Sequence, residues 1–200
     1  EWLATIAAAH EQGLRATSTI MFGHVDGPRN WARHLLRLRA LQERTGGITE
    51  FVPLPFVHME APIYLKGRAR KGPTWRETVL MHAIARLVLH PVIPNIQASW
   101  VKAGADGVRL LLQSGANDLG GTLMNESISR AAGTEHGQEM PPEAMDKLIQ
   151  SIGRTPVQRT TLYGTPRESQ RAKSYGAAPL TPVVQTPVTH RPSPQTVAAE

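Results

Sequence analysis

Two hundred residues with 40% apolar and 19% charged content describe a globular domain of ordinary size and argue against a disordered or fibrous chain. No apolar run approaches the roughly 18 residues of a membrane span and no secretion signal leads the chain, so the cytoplasm is the expected compartment. The formal charge of +6 is spread over helices and tail without interleaved aromatic residues, which weighs against nucleic acid, and the lack of cysteine rules out disulfides and thiolate ligands within these residues.

The chain opens at Glu1, partway into a helical pattern and without a start Met, which implies further chain before it. Ala16 to Phe22 and Ile48 to Val57 read as strands, each following glycine. Between them Trp31, Leu35, Leu38 and Leu41 recur at helical spacing behind Pro28, with arginines off the stripe. A capping box at Thr74-Trp-Arg-Glu77 starts the next helix, and His90-Pro91 stops it. His82 and His90 on that helix are expected to be structural or solvated. Asn95 to Ser99 then reads as a short strand, Asp106 to Gln113 as a helix and Ala116 to Asp118 as another short strand. Helices near Leu123 to Ala132 and Pro142 to Ile152 follow, the second ending at Gly153. From Gly176 a proline-rich stretch without an apolar face predicts a disordered tail.

About four strand-then-helix units imply an α/β fold with a parallel sheet. A barrel suits them better than a doubly wound sheet, because no glycine-rich phosphate loop follows the first strand. Four units make about half of an eight-stranded barrel and leave an open edge. The expected domain is a partial barrel over residues 1–163, with an extension over 164–200.

In such a barrel the chemistry gathers where strands end, and four sets of polar residues stand there. His24 and Asp26 form the first, although Asp26 could instead cap the following helix. His58 leads into a long loop, where a plain surface role competes with a lid. Ser99, Trp100 and Lys102 end the third strand; Ser99 lacks a nucleophile-elbow sequence, and Trp100 taken alone is more often packing. Asn117, Asp118, Gly120, Gly121 and Thr122 form the richest set. Its glycines permit close backbone approach, and a helix N-terminus behind them would face an anionic group; the competing reading is a turn in which Asp118 or Thr122 caps. A zinc hydrolase using His24, Asp26, His58 and Asp118 is permitted by residue type but lacks the usual histidine spacing. A noncatalytic interaction module with the basic helices and tail as docking surfaces is a third class.

Thr17-Ser-Thr-Ile-Met-Phe-Gly-His24, Thr49-Glu-Phe-Val-Pro-Leu-Pro-Phe-Val-His58, Gln97-Ala-Ser-Trp-Val-Lys-Ala-Gly104 and Gly115-Ala-Asn-Asp-Leu-Gly-Gly-Thr122 occur in this order. Together they resemble the C-terminal half of the radical S-adenosylmethionine (SAM) enzymes of deazaflavin biosynthesis, in the tyrosine-using hydroxybenzyl transferase half of FO synthase. Related menaquinone-pathway enzymes share the barrel and a similar Asp-Gly-Thr segment. A looser likeness links Thr19 to Asp26 with the family's adenine-pocket pattern. The resemblance implies a radical SAM barrel, SAM and a 4Fe-4S cluster in the complete enzyme, and transfer of a 4-hydroxybenzyl group from L-tyrosine to 5-amino-6-(D-ribitylamino)uracil. Its implied partners are the N-terminal half of the barrel and an FO-forming lyase half in the same or a separate chain. The family holds its cluster through a Cys-x-x-x-Cys-x-x-Cys motif. Without cysteine, this segment is expected to carry substrate-side residues only, with no metal ligands, and to be inactive alone.

Overall fold

The computed structural model describes residues 1–122 and 126–180. Helix α1 (Trp2–Glu11) leads into strand β1 (Ala16–Phe22), helix α2 (Pro28–Thr45) and strand β2 (Ile48–Pro55). The two strands pair in parallel, with Thr17 opposite Glu50 and Phe22 opposite Pro55. The stripe anticipated on α2 is the one that packs: Trp31, Leu35, Leu38 and Leu41 are all buried. Gly46 ends α2 in the left-handed conformation, at φ 63°.

After a single turn, α3 (Pro62–Leu65), helix α4 (Trp75–Leu89) begins with the anticipated capping box. Thr74 Oγ1 accepts from the Glu77 amide at 3.2 Å, and the Glu77 carboxylate accepts from the Thr74 amide at 2.7 Å. His82 is fully buried and donates from Nδ1 to the Thr78 carbonyl at 2.8 Å, a structural role, while His90 caps the helix end in the open.

The two short strands foreseen next are reduced to single parallel bridges, Phe51 with Ile96 and Gln97 with Asp118. Pro94 precedes the first segment and α5 (Trp100–Gln113) follows it directly, which leaves little room for a ladder. The order in space nevertheless continues in parallel: β1, β2, the Ile96 segment, then the Asp118 segment. Helix α5 starts before the expected Asp106. It opens with one turn from Trp100, breaks at Gly104 (φ 67°, ψ 176°) and resumes.

The helix expected from Leu123 to Ala132 shrinks to α6 (Ile128–Ala131), with Leu123 to Asn125 outside the described residues. Helix α7 (Pro142–Gln150) appears as expected. Helix α8 (Glu168–Tyr175) was not foreseen, because its sequence has no apolar face and buries no residue. It is tied down by polar contacts instead: the Tyr175 hydroxyl donates to Asp146 at 2.6 Å. The anticipated disordered tail falls mostly on residues 181–200, outside those described; of residues 176–180, the Leu180 amide donates to Glu139 at 2.9 Å.

The helices cover one face of the strands. One apolar cluster joins Phe22, Phe51 and Ile96 to Leu35, Leu38 and Met81; another joins Trp100, Val108 and Leu111 to Leu148. On β1 the pleat alternates, so Ser18 and Phe22 are buried while Thr17, Thr19 and Met21 on the opposite face are exposed. Among the described residues no helix is long and apolar enough to cross a membrane.

Candidate active site

Because the strands are parallel, their ends lie along one edge, and the first polar set sits there as a closed turn. Asp26 accepts from the backbone amides of Gly23 at 2.7 Å and His24 at 3.2 Å, and from the Trp31 indole at 2.5 Å. Gly27, not Asp26, is the N-cap of α2. Asp26 therefore shapes the loop, while His24 lies 5.5 Å from Phe56 between ring centroids. His58 meets the edge of Tyr64 at 4.7 Å.

Trp100 is buried and donates from its indole to the Gly121 carbonyl at 3.0 Å, which joins the third set to the fourth. Ser99 is the N-cap of α5 but makes no capping bond with its side chain. Lys102, in the first turn of α5, is half-buried; loss of solvation lowers its ammonium pKa and the charge of Glu126 partly opposes that.

The fourth set divides by strand alternation. Asn117 points outward, where its Oδ1 accepts from the Ile96 amide and from Arg86, both at 2.8 Å, so it stitches neighbouring segments together. Asp118 points inward and is 9% exposed. Its Oδ1 accepts from the Gly120 amide at 2.6 Å. Its Oδ2 takes Arg159 Nε at 2.5 Å and the Tyr163 hydroxyl at 2.5 Å. Glu50, also buried, joins the cluster: the single Tyr163 hydroxyl proton is shared between it and Asp118, Arg159 Nη2 lies 3.3 Å from it, and Thr17 Oγ1 donates to its other oxygen at 3.0 Å. The Arg159 guanidinium stacks over the Tyr163 ring at 4.1 Å.

Burial and then the two carboxylates push the Tyr163 phenol far above its ordinary pKa, so it remains a donor. For Arg159 burial works against the charge, but the Asp118 hydrogen bond and charge outweigh it and raise the guanidinium.

Gly120 adopts φ +72°, and a Cβ there would lie 2.2 Å from the Gln97 amide nitrogen. The left-handed backbone is what favours glycine here, since the Gln97 side-chain end can swing away. The anion site is expected where the following helix begins; of that helix only residues from 126 onward are described. Helix α6 is short, and Glu126 already occupies its start by accepting from the Ser129 amide at 3.0 and 3.2 Å. Gly120, Gly121 and Thr122 instead wall an open cleft of about 860 Å³, together with Glu50, Gln97, Asp118, Arg159 and Tyr163.

Sequence reasoning missed Glu50, Arg159 and Tyr163. Glu50 carried a usable signal, a charge on the inward register of a β-branched strand. Arg159 and Tyr163 follow the last apolar pattern and carried none. His24, Asp26, His58 and Asp118 do not converge, since no group of three or more His, Cys, Asp or Glu able to hold a metal occurs among the described residues. An iron–sulfur cluster, which needs thiolates, finds no ligand in a chain without cysteine.

Residues 45–172 match the family described as the CofH/MqnC C-terminal region, a span running from the end of α2 through Tyr163 into α8. The chain belongs to that family. A relative named 5-amino-6-(D-ribitylamino)uracil--L-tyrosine 4-hydroxyphenyl transferase, from Methanopyrus kandleri, is 56% identical over 163 residues, covering 82% of this chain and 44% of the relative. The FO synthase of Mycobacterium leprae is 55% identical over 162 residues, covering 81% and 19%. That of Streptomyces coelicolor is 55% identical over 172 residues, covering 86% and 20%. The chain thus spans less than half of the transferase and about a fifth of each FO synthase.

Proposed function

We propose that this chain is the substrate-side portion of a radical SAM transferase that moves the 4-hydroxybenzyl group of L-tyrosine to 5-amino-6-(D-ribitylamino)uracil in FO biosynthesis. The observation that carries the reading is the 56% identity to the transferase of that name over 82% of the chain. Parallel strand order and the bare inner face of β1 support a barrel that other residues complete, because parallel sheets are ordinarily covered on both faces. Residues 1–163 form the barrel portion in this reading, and the extension starts at residue 164 and includes α8.

The 4Fe-4S cluster and SAM supply the radical chemistry of the complete enzyme, and the cluster is ligated by other residues, since none of these is cysteine. This chain's part is to bind, orient and keep water from the two substrates. Ser99, Lys102, Gly120, Gly121 and Thr122 face them in this reading, and the His24 turn and His58 bound the same edge. The FO-forming lyase half lies in the same polypeptide where the relative is a long FO synthase and in a separate one where it is a free-standing transferase. The cytoplasm is the proposed compartment.

The test is the complete enzyme, reconstituted anaerobically with iron and sulfide and given SAM, ring-labelled tyrosine and the ribitylaminouracil. Mass spectrometry should find the label in an adduct of the uracil. Absence of a tyrosine-dependent adduct from an enzyme that still cleaves SAM would sink the substrate assignment.

A further inference from the structure

The loop that closes the cleft is not held by its own residues alone. Asp118 uses one carboxylate oxygen for the Gly120 amide and the other for Arg159 and Tyr163, so the glycine turn and the C-terminal segment meet in a single side chain. That segment is itself built for the purpose. Thr160 accepts from the Tyr163 and Gly164 amides, through its carbonyl at 3.0 Å and its hydroxyl at 2.9 Å, and its own amide donates to the Gly164 carbonyl at 2.8 Å. The tight turn holds Tyr163 at φ 62°, the one left-handed non-glycine residue among those described. A bulky aromatic residue rarely sits there, and the conformation persists because stacking against Arg159 and a hydroxyl proton shared between two carboxylates compensate it.

Glu50 fixes the other side of the clasp. It stands opposite Thr17 near the start of the paired strands, whereas Gly120 leaves from the strand ends.

We propose that Arg159 and Tyr163 are positioning residues: by locking the Asp118 carboxylate against Glu50, they fix the Gly120-Gly121-Thr122 loop in the shape that receives substrate. Neither side chain needs to touch substrate for this. The guanidinium fork aligns Asp118 Oδ2 while the phenol restricts its rotation, and Oδ1 is then aimed at the Gly120 amide. Trp100 completes the clamp from the other side through the Gly121 carbonyl.

The inference rests on the proposed transferase reading only for its activity readout, so two measurements on the complete enzyme keep the two apart. Hydrogen exchange over residues 118–122 should quicken at least tenfold in Arg159→Gln and in Asp118→Asn, and the double variant should exchange no faster than Asp118→Asn. In turnover, Arg159→Gln should raise KM for tyrosine about tenfold with kcat changed less than threefold, with Arg159→Lys recovering part of the loss. Once Asp118 is Asn, adding Arg159→Gln should change kcat/KM less than twofold. Multiplying losses in the double variant would overturn the proposal, as would exchange at Gly120 that ignores Arg159. Should Arg159→Gln fail to fold, Tyr163→Phe carries the test: it keeps the ion pair, and should quicken the same exchange about threefold, while unchanged exchange would count against the clasp. An enzyme that still cleaves SAM but makes no adduct defeats the transferase reading, and the exchange pattern still decides the clasp.

Discussion

At the scale of single residues, the inner face separates groups that shape the cleft from groups that merely sit on the surface. Asp118→Ala removes the acceptor shared by Gly120, Arg159 and Tyr163, and should cost about 1.5–3 kcal/mol, the range for a hydrogen bond to a charged group. Asp106 pairs with Arg109 in the open, so Asp106→Ala should stay within about 0.5 kcal/mol. Urea unfolding checks the stabilities; adduct formation by the complete enzyme should fall at least roughly tenfold for the first substitution and less than about twofold for the second. Gly120→Ala should cost about 1–2 kcal/mol from its left-handed backbone alone, with the Gln97 amide also forced to move. Asp118 and the glycines were legible because small and acidic residues cluster visibly between apolar segments. Glu50, Arg159 and Tyr163 were not: the Glu50 contacts reach across 109 and 113 residues of chain, and no local spacing encodes them.

The elements differ in how plainly the sequence announces them. Helices α2 and α4 bury one stripe and begin with recognised signals, so periodicity located them. The third and fourth strand segments pair through one bridge each, too few positions for a period of two to show, and α8 is held by polar contacts that no hydrophobic pattern reveals. Removing the α4 cap by Thr74→Ala should cost about 1 kcal/mol. Leu38→Ala, in the packed stripe of α2, should cost about 2–5 kcal/mol, and comparable losses for the two would mean that the α2 core is looser than its burial indicates.

A pH dependence also belongs to the elements. Burial lowers the His82 imidazole below its ordinary 6.5, and it does the same for His34 and His10 with added repulsion from Arg37 and Arg15. The folded chain binds fewer protons than the unfolded one between those lowered values and 6.5. Their stabilisation is thus complete above that window and drains away as pH falls through it. Urea midpoints should drop between about pH 7.5 and 5.5, and His82→Gln should show a smaller drop. An undiminished drop in the variant would remove His82 from the account.

For the molecule as a whole, the decisive asymmetry is between the two faces of β1. Its helix-facing residues join a dense core, whereas Thr17, Thr19 and Met21 face away from the packed layer. Residues that close a barrel against this strand should protect it. In the complete enzyme, the β1 amides should therefore exchange more slowly than in this chain alone, and equal exchange would argue that the edge stays open.

The late position of Arg159 and Tyr163 bears on the order of synthesis. Strand β2 leaves the ribosome with Glu50 long before its partners exist, and Asp118 follows still without them. The helices and parallel strands can form while the chain is being made, but the cleft takes its final shape only after residue 163 has emerged. A nascent chain halted before Tyr163 would hold most of the core and an unfinished site.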